Sequence, residues 1–259
     1  MKKILKAISV VAAFVPLAMG SAMAQVSEEG MGNVLPVELF ACSYNDGKDE
    51  GDLNRVITRW TRWMDERNND DYAAWTLTPY HYGPDQEFDM IWMGAFTDGN
   101  AMGAGVDQYF AEGGDINDAF AEVLTCGAHI GLASAMYKSP PNNETPGSSI
   151  ITMMDCELNE GNRYSDIKAA ELAWAKHMTS AGSMAGTFHW SPIYGGGDAE
   201  YDYKVVNAYE NYTELGADWE RFSNGGGREA STEIFDDIDE CDDARVYIAT
   251  SIRAAQLRQ

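Results

Sequence analysis

Apolar and polar residues follow the same pattern in two successive blocks of this chain, and each block predicts the same order of elements. Residues 37–44 and 151–158 alternate as strands do, and each stretch is followed by a turn and an amphipathic run. An aspartate, Asp52 or Asp166, directly precedes each run and is the expected helix N-cap. One helical face of the first run carries Leu53, Val56, Ile57, Trp60 and Met64.

Two strands, a helix, a glycine break, a short second helix and a final strand complete each block. The expected strands are 72–82, 87–96 and 128–137 in the first block and 186–194, 200–209 and 245–252 in the second. Glycine-rich turns separate the two middle strands of each block. The order β-α-β-β-α-β is that of the ferredoxin-like unit.

The second block copies the first at an almost constant spacing of 113 to 115 residues. The matched pairs include Cys42 with Cys156, Trp60 with Trp174, Pro79 with Pro192, and Cys126 with Cys241. Because these residue types are rare, their shared order indicates a tandem duplication. We assign residues 37–138 to repeat 1 and 150–255 to repeat 2, joined by a linker rich in Pro, Asn, Gly and Ser at 139–149.

The amino terminus has the features of a secretory signal peptide. Three lysines precede an apolar stretch at 7–19, and Ala22 and Ala24 form a small-residue cleavage motif. We expect residues 1–24 to be removed and residues 25–36 to form an N-terminal lead. An uncleaved anchor helix is the alternative, but the stretch is short for a membrane span. The mature protein is therefore expected in a bacterial periplasm or secreted, without a membrane attachment.

Composition predicts an acidic globular protein. The chain has 41 Asp and Glu against 18 Lys and Arg, a formal charge of −23, and 45% of its residues are hydrophobic. This hydrophobic content supports a real core. The acidic balance argues against a nucleic-acid partner or an anionic membrane, because both attract positive charge. We expect a soluble monomer whose two repeats take the place of two subunits.

Export places the four cysteines in an oxidising compartment, where disulfides form. The last strand of a ferredoxin-like unit pairs antiparallel with the first, so Cys42 should lie near Cys126, and Cys156 near Cys241. We predict these two disulfides, one within each repeat. Four reduced, buried cysteines are the alternative, and an oxidising compartment disfavours it.

A ferredoxin-like sheet carries helices on one face only, and two repeats can bury their bare faces against each other. The predicted class is therefore α+β, with two tandem ferredoxin-like (βαββαβ) repeats packed sheet to sheet. This arrangement resembles the dimeric α/β-barrel superfamily in a fused, single-chain form.

A narrower resemblance rests on the segments 42–48 (CSYNDGK), 74–79 (AWTLTP) and 211–216 (NYTELG) and runs over nearly the whole mature chain. These segments are similar to those of a family of exported proteins from marine bacteria, for which no activity is established. The superfamily includes cofactor-free monooxygenases, haem enzymes and binding modules. The resemblance therefore implies a fold and not a chemistry.

Strand parity predicts which side chains face the space between the two sheets. The expected ligand-binding residues on that side are Tyr80, Tyr82, Trp92, Tyr203 and Asn207. Trp75, Leu77, Phe188 and Trp190 fall on the opposite face and should pack beneath the helices.

The weak catalytic candidates are His189 with Asp155 or Glu157, since a carboxylate can orient an imidazole for proton transfer. The simpler alternative, which we favour, is that these side chains are solvated at the rim. The other histidines lack a metal-ligand spacing, so neither a metal nor a cofactor is predicted.

Three functions remain open. The first hypothesis is an exported protein that binds a small apolar or aromatic molecule between its repeats. A monooxygenase-like enzyme is the second, and it requires an enclosed His189 within reach of Asp155 or Glu157. A structural or interaction protein is the third, and it requires bulky side chains that meet across the sheets and leave no cavity of ligand size.

Overall fold

The computed structural model describes residues 34–140, 147–197 and 200–255. The expected signal peptide, the lead up to residue 33 and linker residues 141–146 lie outside the described residues. The elements are, in chain order, β1 (Leu35–Tyr44), α1 (Glu50–Glu66), β2 (Tyr72–His81), β3 (Met90–Phe96), α2 (Gly99–Glu112), α3 (Gly114–Ala121), β4 (Leu124–Lys138), β5 (Ser148–Leu158), α4 (Tyr164–Ser180), β6 (Gly186–Tyr194), β7 (Tyr203–Tyr209), α5 (Tyr212–Ser223), α6 (Gly227–Phe235), β8 (Asp239–Cys241) and β9 (Arg245–Arg253). Within these ranges, none of the helices combines the length and the apolar character needed to cross a membrane.

Eight strands close into one antiparallel barrel. The strand order is β7-β6-β4-β1-β3-β2-β9-β5, and β5 pairs back with β7, while β8 adds a short edge to β5. Four neighbouring strands, β4-β1-β3-β2, come from the first half of the chain, and β9-β5-β7-β6 come from the second. The halves therefore join through β2–β9 and β4–β6.

The bare faces of the two sheets are buried against each other, as expected. Each sheet also pairs its two edge strands with the edges of the other sheet, so the two bare faces become the inside of one barrel. Closure pairs the edge N–H and C=O groups that two separate sheets would leave without a ladder partner.

The inside of the barrel is filled by side chains from all eight of its strands. The buried members of this interior cluster are Val37, Leu39, Leu77, Ile91, Met93, Leu132, Ile151, Met153, Trp190, Val206, Tyr247 and Ala249. These side chains pack against one another across the barrel. The interior is therefore a packed core along this stretch.

Strand parity is reversed for the middle strands. Leu77, expected beneath the helices, points into the barrel, as does Leu39 of β1. Trp92, expected between the sheets, instead packs beneath α1 with its ring 5.0 Å from that of Trp60. In the second half, Tyr203 likewise lies on the helix side. Alternation does not reveal which face is which, because both faces of these strands are buried and apolar.

Both predicted disulfides are present. Cys42 is bonded to Cys126 and Cys156 to Cys241, one bridge within each half. The first joins β1 to β4 and the second joins β5 to β8, at directly opposed positions. Cys241 therefore lies in a separate short strand rather than at the start of the last strand.

Helix α1 begins earlier than expected. Its N-cap is Asp49, whose side chain accepts a hydrogen bond from the backbone N–H of Asp52, and the Asp52 side chain accepts one from the backbone N–H of Asp49. In α4, Asp166 likewise occupies the third helical position and accepts from the backbone N–H of the N-cap residue, Arg163. The expected N-caps are thus wrong by three residues, because the third position of a capping box also carries an acidic residue just before the apolar run.

A buried cation from each half binds a loop of the other half. Lys138, at the end of β4, donates through Nζ to the carbonyl oxygens of Ser183 (2.9 Å) and Ala185. Arg253, at the end of β9, donates to the carbonyl oxygen of Asn69 (3.2 Å) and to two nearby aspartates. Asn69 and Ser183 occupy corresponding positions in the two halves, as do Lys138 and Arg253. The same contact is therefore made twice, in opposite directions.

Replacing the buried ammonium should destabilise the barrel. We expect Lys138→Met to lower the free energy of unfolding by about 1–3 kcal/mol, because it leaves buried carbonyl oxygens without a donor. Urea unfolding of the oxidised protein measures this change. Lys176→Met, an exposed position on α4, is the matched control and should change the free energy little. An equal effect of the two substitutions would contradict the assignment.

Candidate functional site

The structure separates the residues that were expected to share one site between the sheets. Tyr80 and Tyr82 are exposed, at 53% and 59%, on the outer side at the end of β2. Glu157 is exposed on β5, opposite Glu240 of β8. The other candidates fall into three places: Trp92 beneath α1, His189 with Tyr203 beneath α4, and Asp155 at one end of the barrel.

Asn207 is satisfied locally. Its Oδ1 accepts a hydrogen bond from the hydroxyl of Thr187 on the neighbouring strand β6, at 2.9 Å. Its position on β7 has the same parity as Tyr203, which packs on the helix side. Asn207 therefore does not line the barrel interior, for the same parity reason as Trp92 and Tyr203.

His189 lies in a closed polar cluster between β6 and α4. The residue is 0% exposed, and its Nε2 lies 2.8 Å from Oε1 of Glu171 on α4. Its ring is stacked on Tyr203 and also contacts Tyr137, with both centroid distances 4.6 Å. The expected pairing of His189 with Asp155 or Glu157 is therefore wrong. His189 faces the helices, so its acidic partner comes from α4, whereas Asp155 faces the barrel.

Sequence reasoning missed Glu171, although a signal for it exists. Glu171 follows Ile167 by four residues and precedes Met178 by seven, so it lies on the apolar face of α4. A carboxylate on that face is rarely buried without a partner. A search for acids on apolar helix faces would have found it.

The cluster of Tyr137, Glu171, His189, Tyr203 and Asp239, here called the His189 cluster, is not fully satisfied. The ring nitrogens of His189 and Oε2 of Glu171 have no aligned hydrogen-bond partner among the described residues, so the 2.8 Å approach of Nε2 to Oε1 leaves polar atoms of this cluster unsatisfied. The Tyr203 hydroxyl donates to Asp239. Burial raises the pKa of Asp239, the Tyr203 hydrogen bond opposes that rise, and Glu171 adds to it. Burial also raises the pKa of Tyr203, and Asp239 reinforces that rise.

A second polar cluster closes one end of the barrel interior, where β5 ends and β7 and β9 begin. Asp155 forms ion pairs with Lys204 and, at 3.1 Å, with Arg245. Arg245 also reaches Asp242 at 3.1 Å. The ammonium of Lys204 lies 3.9 Å from the ring centroid of Tyr201. We call these five residues the Asp155 cluster.

The Asp155 cluster follows directly on the apolar interior. Asp155 lies two residues beyond Met153 on β5, and Lys204 lies two residues before Val206 on β7, so both share the inward parity of the interior cluster. The Lys204 side chain is 12% exposed. Burial lowers its pKa, and the charge of Asp155 opposes this effect.

Three buried polar atoms at this end of the barrel have no hydrogen-bond partner among the described residues. They are Oη of Tyr201, Nε of Arg245 and Nε1 of Trp190. Trp190 belongs to the interior cluster and is the cross-strand partner of Lys204. All three atoms can donate a hydrogen bond, so this end of the barrel offers donors to a molecule that carries acceptor oxygens.

Trp92 belongs to a hydrogen-bonded chain beneath the helices of the first half. Its Nε1 donates to Oη of Tyr72 (3.0 Å), and Tyr72 donates to Oε1 of Glu38 (2.7 Å). The other carboxylate oxygen of Glu38 lies 3.1 Å from Nε2 of His129. A Cβ on Gly94 would lie 1.9 Å from the Tyr72 hydroxyl oxygen, so this chain requires glycine there.

Comparison with known proteins identifies the fold. No protein-family model and no curated protein matches the sequence. A mutant chlorite dismutase from Candidatus Nitrospira defluvii is similar in structure, with a TM-score of 0.52 and 8% identity over 87% of this chain and 95% of that one. A dye-decolorizing peroxidase from Bacteroides thetaiotaomicron has a TM-score of 0.50 and 7% identity over 86% of this chain and 95% of that one.

A protein from Lactobacillus acidophilus assigned as a monooxygenase has a TM-score of 0.50 and 12% identity, over 86% of this chain and 96% of that one. The chain thus has the dimeric α/β-barrel fold, as predicted. At these identities the likeness shows the fold alone.

Filling the space at Gly94 should destabilise the first half. We expect Gly94→Ala to lower the free energy of unfolding by about 1–3 kcal/mol, because the new methyl group displaces the Tyr72 hydroxyl from Glu38 and Trp92. Gly103→Ala, in α2 with open space around it, should instead raise the free energy by about 0.5–1 kcal/mol. Urea unfolding distinguishes the two, and effects of the same sign would count against the predicted clash.

Asp239 should produce a fall in stability as the pH rises. Because the pKa of Asp239 is raised in the folded state, the folded protein binds more protons there than the unfolded chain above about pH 4. Relative to Asp239→Asn, the wild type should therefore lose stability as the pH increases from about 4 through the raised pKa. Urea unfolding at a series of pH values measures the difference. A wild type that gains stability relative to Asp239→Asn as the pH rises would refute the assignment.

Proposed function

We propose that this protein is an exported, single-chain α/β barrel that binds a small aromatic molecule with carbonyl or carboxylate oxygens at the end of the barrel formed by the Asp155 cluster. The observation that carries the proposal is the set of three unpartnered, buried donors beside that cluster.

The filled interior determines where a ligand can bind. The interior cluster occupies the barrel with side chains from every strand, so a molecule held between the halves must lie at an end. Two clefts of about 220 and 270 Å³ lie elsewhere, on the outside of α1. They are open and lined largely by charged side chains, which suits solvated surface better than an apolar ligand.

The side chains at the Asp155 end favour a flat molecule with acceptor oxygens. Trp190, Tyr201 and Tyr247 supply aromatic surface, and the unpartnered donors supply hydrogen bonds. Asp155 and Asp242 already neutralise Lys204 and Arg245, so a ligand need not carry a full negative charge. The ligand class therefore combines an aromatic ring with carbonyl or carboxylate oxygens.

Two of the aromatic residues expected to bind ligand remain near this end. Strand β2 ends at His81, which pairs with Val246, one residue after Arg245 at the start of β9. Tyr80 and Tyr82 flank His81 on the outer side. We therefore keep these two tyrosines as rim residues of the proposed site, whereas Trp92, Tyr203 and Asn207 are used elsewhere in the fold.

Duplication and export form part of the same proposal. The reciprocal contacts of Lys138 and Arg253, and the matching strand order of the two halves, support an origin in two tandem ferredoxin-like repeats, 37–138 and 150–255. The two disulfides support maturation in an oxidising compartment after removal of residues 1–24.

A monooxygenase-like enzyme is the first alternative. Its support is the enclosed contact of His189 with Glu171, in a fold shared with a protein assigned as a monooxygenase. The superfamily resemblance suggests haem as a cofactor to consider. Haem does not fit at His189, because tyrosine rings contact the imidazole and the Glu171 carboxylate lies against its Nε2. A structural protein with a filled interior is the second alternative, and the interior cluster favours it.

Calorimetric titration with 2-naphthoate tests the proposal. We expect the oxidised wild type to bind one molecule per chain, and 2-methylnaphthalene, which lacks the acceptor oxygens, to bind at least about tenfold more weakly. Tyr201→Phe and Trp190→Phe each remove one donor with little change in shape, and each should weaken 2-naphthoate binding about threefold to tenfold.

Trp219→Phe, which alters an exposed tryptophan on α5, is the control and should leave the affinity unchanged. Absence of binding to the wild type would favour the structural alternative. Binding that neither donor substitution weakens would place the ligand elsewhere and overturn the proposed site. Native mass spectrometry of protein from its own medium complements the titration by showing whether a small molecule is retained.

A further inference from the structure

The two disulfides have different neighbours, and one of these differences places a carboxylate beside the second bridge. In the first half, Cys42 pairs with Cys126, and two positions along the ladder Tyr44 pairs with Leu124. In the second half, Cys156 pairs with Cys241, and the corresponding pair is Leu158 with Asp239. The second bridge therefore has a carboxylate where the first has an apolar side chain.

The Asp239 carboxylate lies close to both sulfur atoms of its bridge. Ligand atoms of Cys156, Asp239 and Cys241 all lie within 4.8 Å of one another, and Oδ2 of Asp239 is 3.4 Å from Sγ of Cys241. Within the described ranges, this is the one group of three such residues close enough to share a metal ion. Two sulfurs and a carboxylate oxygen are a ligand set that suits Zn²⁺.

We propose that Cys156, Cys241 and Asp239 form a Zn²⁺ site that opens when their disulfide is reduced. A dithiol supplies two electrons and two protons, the S–S bond becomes two thiols, and the dithiol becomes a cyclic disulfide. Zn²⁺ then displaces the two thiol protons and binds both thiolates and the carboxylate, with water as the fourth ligand. The cyclic disulfide of the same dithiol reverses the step: it accepts two electrons and two protons and becomes the dithiol again, the S–S bond between Cys156 and Cys241 forms again, and Zn²⁺ leaves.

The local fold permits this exchange. Cys156 is buried in β5, whereas Cys241 is exposed in the three-residue edge strand β8, which pairs with β5 alone among the described strands. Cys241 can therefore move away from Cys156 while the barrel pairings stay intact. The hydroxyl of Tyr203 donates to Asp239 and would hold the carboxylate toward the sulfurs.

The site couples metal binding to the redox state of the chain. A reduced chain holds Zn²⁺, and a chain oxidised after export releases it. The Zn²⁺ site does not require a ligand at the Asp155 cluster, so a test of one proposal does not decide the other.

Metal titration of the reduced, full-length mature protein tests the site. The double variant Cys42→Ser/Cys126→Ser keeps only the second bridge. After reduction with tris(2-carboxyethyl)phosphine, in which phosphorus is oxidised to the phosphine oxide, Cd²⁺ should give a thiolate-to-metal absorption band that saturates at one ion per chain. Zn²⁺ in excess should compete for the site and reduce the band, and reoxidation should abolish it.

Two substitutions and a mirrored variant make the test specific. Asp239→Leu introduces the residue of the first half and should weaken Zn²⁺ binding at least tenfold, while Asp239→Asn should do the same with little change in shape. The variant Cys156→Ser/Cys241→Ser keeps only the first bridge, and we expect it to bind Zn²⁺ as weakly as Asp239→Leu does. Adding Leu124→Asp to this variant should strengthen its binding of Zn²⁺.

Circular dichroism of each reduced variant establishes that the barrel stays folded. Equal affinity of the two single-bridge proteins, or binding insensitive to both Asp239 substitutions, would overturn the proposal. Unfolding on reduction that Zn²⁺ does not reverse would also overturn it, because the site requires the barrel, and β5 within it, to stay folded after the bridge opens.

Discussion

The pairing of the two halves through their sheet edges is the constraint on which the rest of the structure depends. Each half presents four strands, and neither set can cover both of its edges or its bare face alone. Pairing β2 with β9 and β4 with β6 solves both problems at once, because it leaves no open edge in the barrel and turns two bare faces into one interior. The positions of the polar clusters follow from this closure.

Closure of the barrel also explains why buried polar and charged side chains are confined to a few places. Aliphatic and aromatic side chains fill the middle of the barrel, so charged groups with inward parity occur where the strands end, as Asp155 and Lys204 do. Polar groups with outward parity are instead enclosed by helices, as His189 is by α4. The barrel therefore has a filled centre, and the binding that we propose uses its end.

Sequence reasoning predicted the order of elements, the fold and both disulfides, because rare residues recur at a fixed spacing and the ferredoxin-like order brings the cysteines together. It did not predict which face of β2, β3, β6 and β7 points inward. Alternation marks two faces, and when one is covered by helices and the other by the opposite barrel wall, both are apolar. Trp92 was therefore predicted to face the interior and Leu77 to face the helices, whereas the structure has them the other way round.

The same reversal of strand faces also led to wrong partners for the candidate site residues. Because His189 was assigned to the wrong face, its partner Glu171 was missed, and so were Lys204 and Arg245 as partners of Asp155. These pairings join residues from different elements, and a single sequence without a tertiary model contains no direct signal for them.

The reciprocal contacts of Lys138 and Arg253 have a consequence for how this barrel responds to dilution. Two separate chains that exchanged such contacts would assemble only above a threshold concentration, because association would cost translational freedom. Joining them in one chain makes each half permanently available to the other, at a local concentration set by the connecting segment. A single chain thereby keeps the two halves of the barrel together at any abundance, although one of the two corresponding positions carries a lysine and the other an arginine.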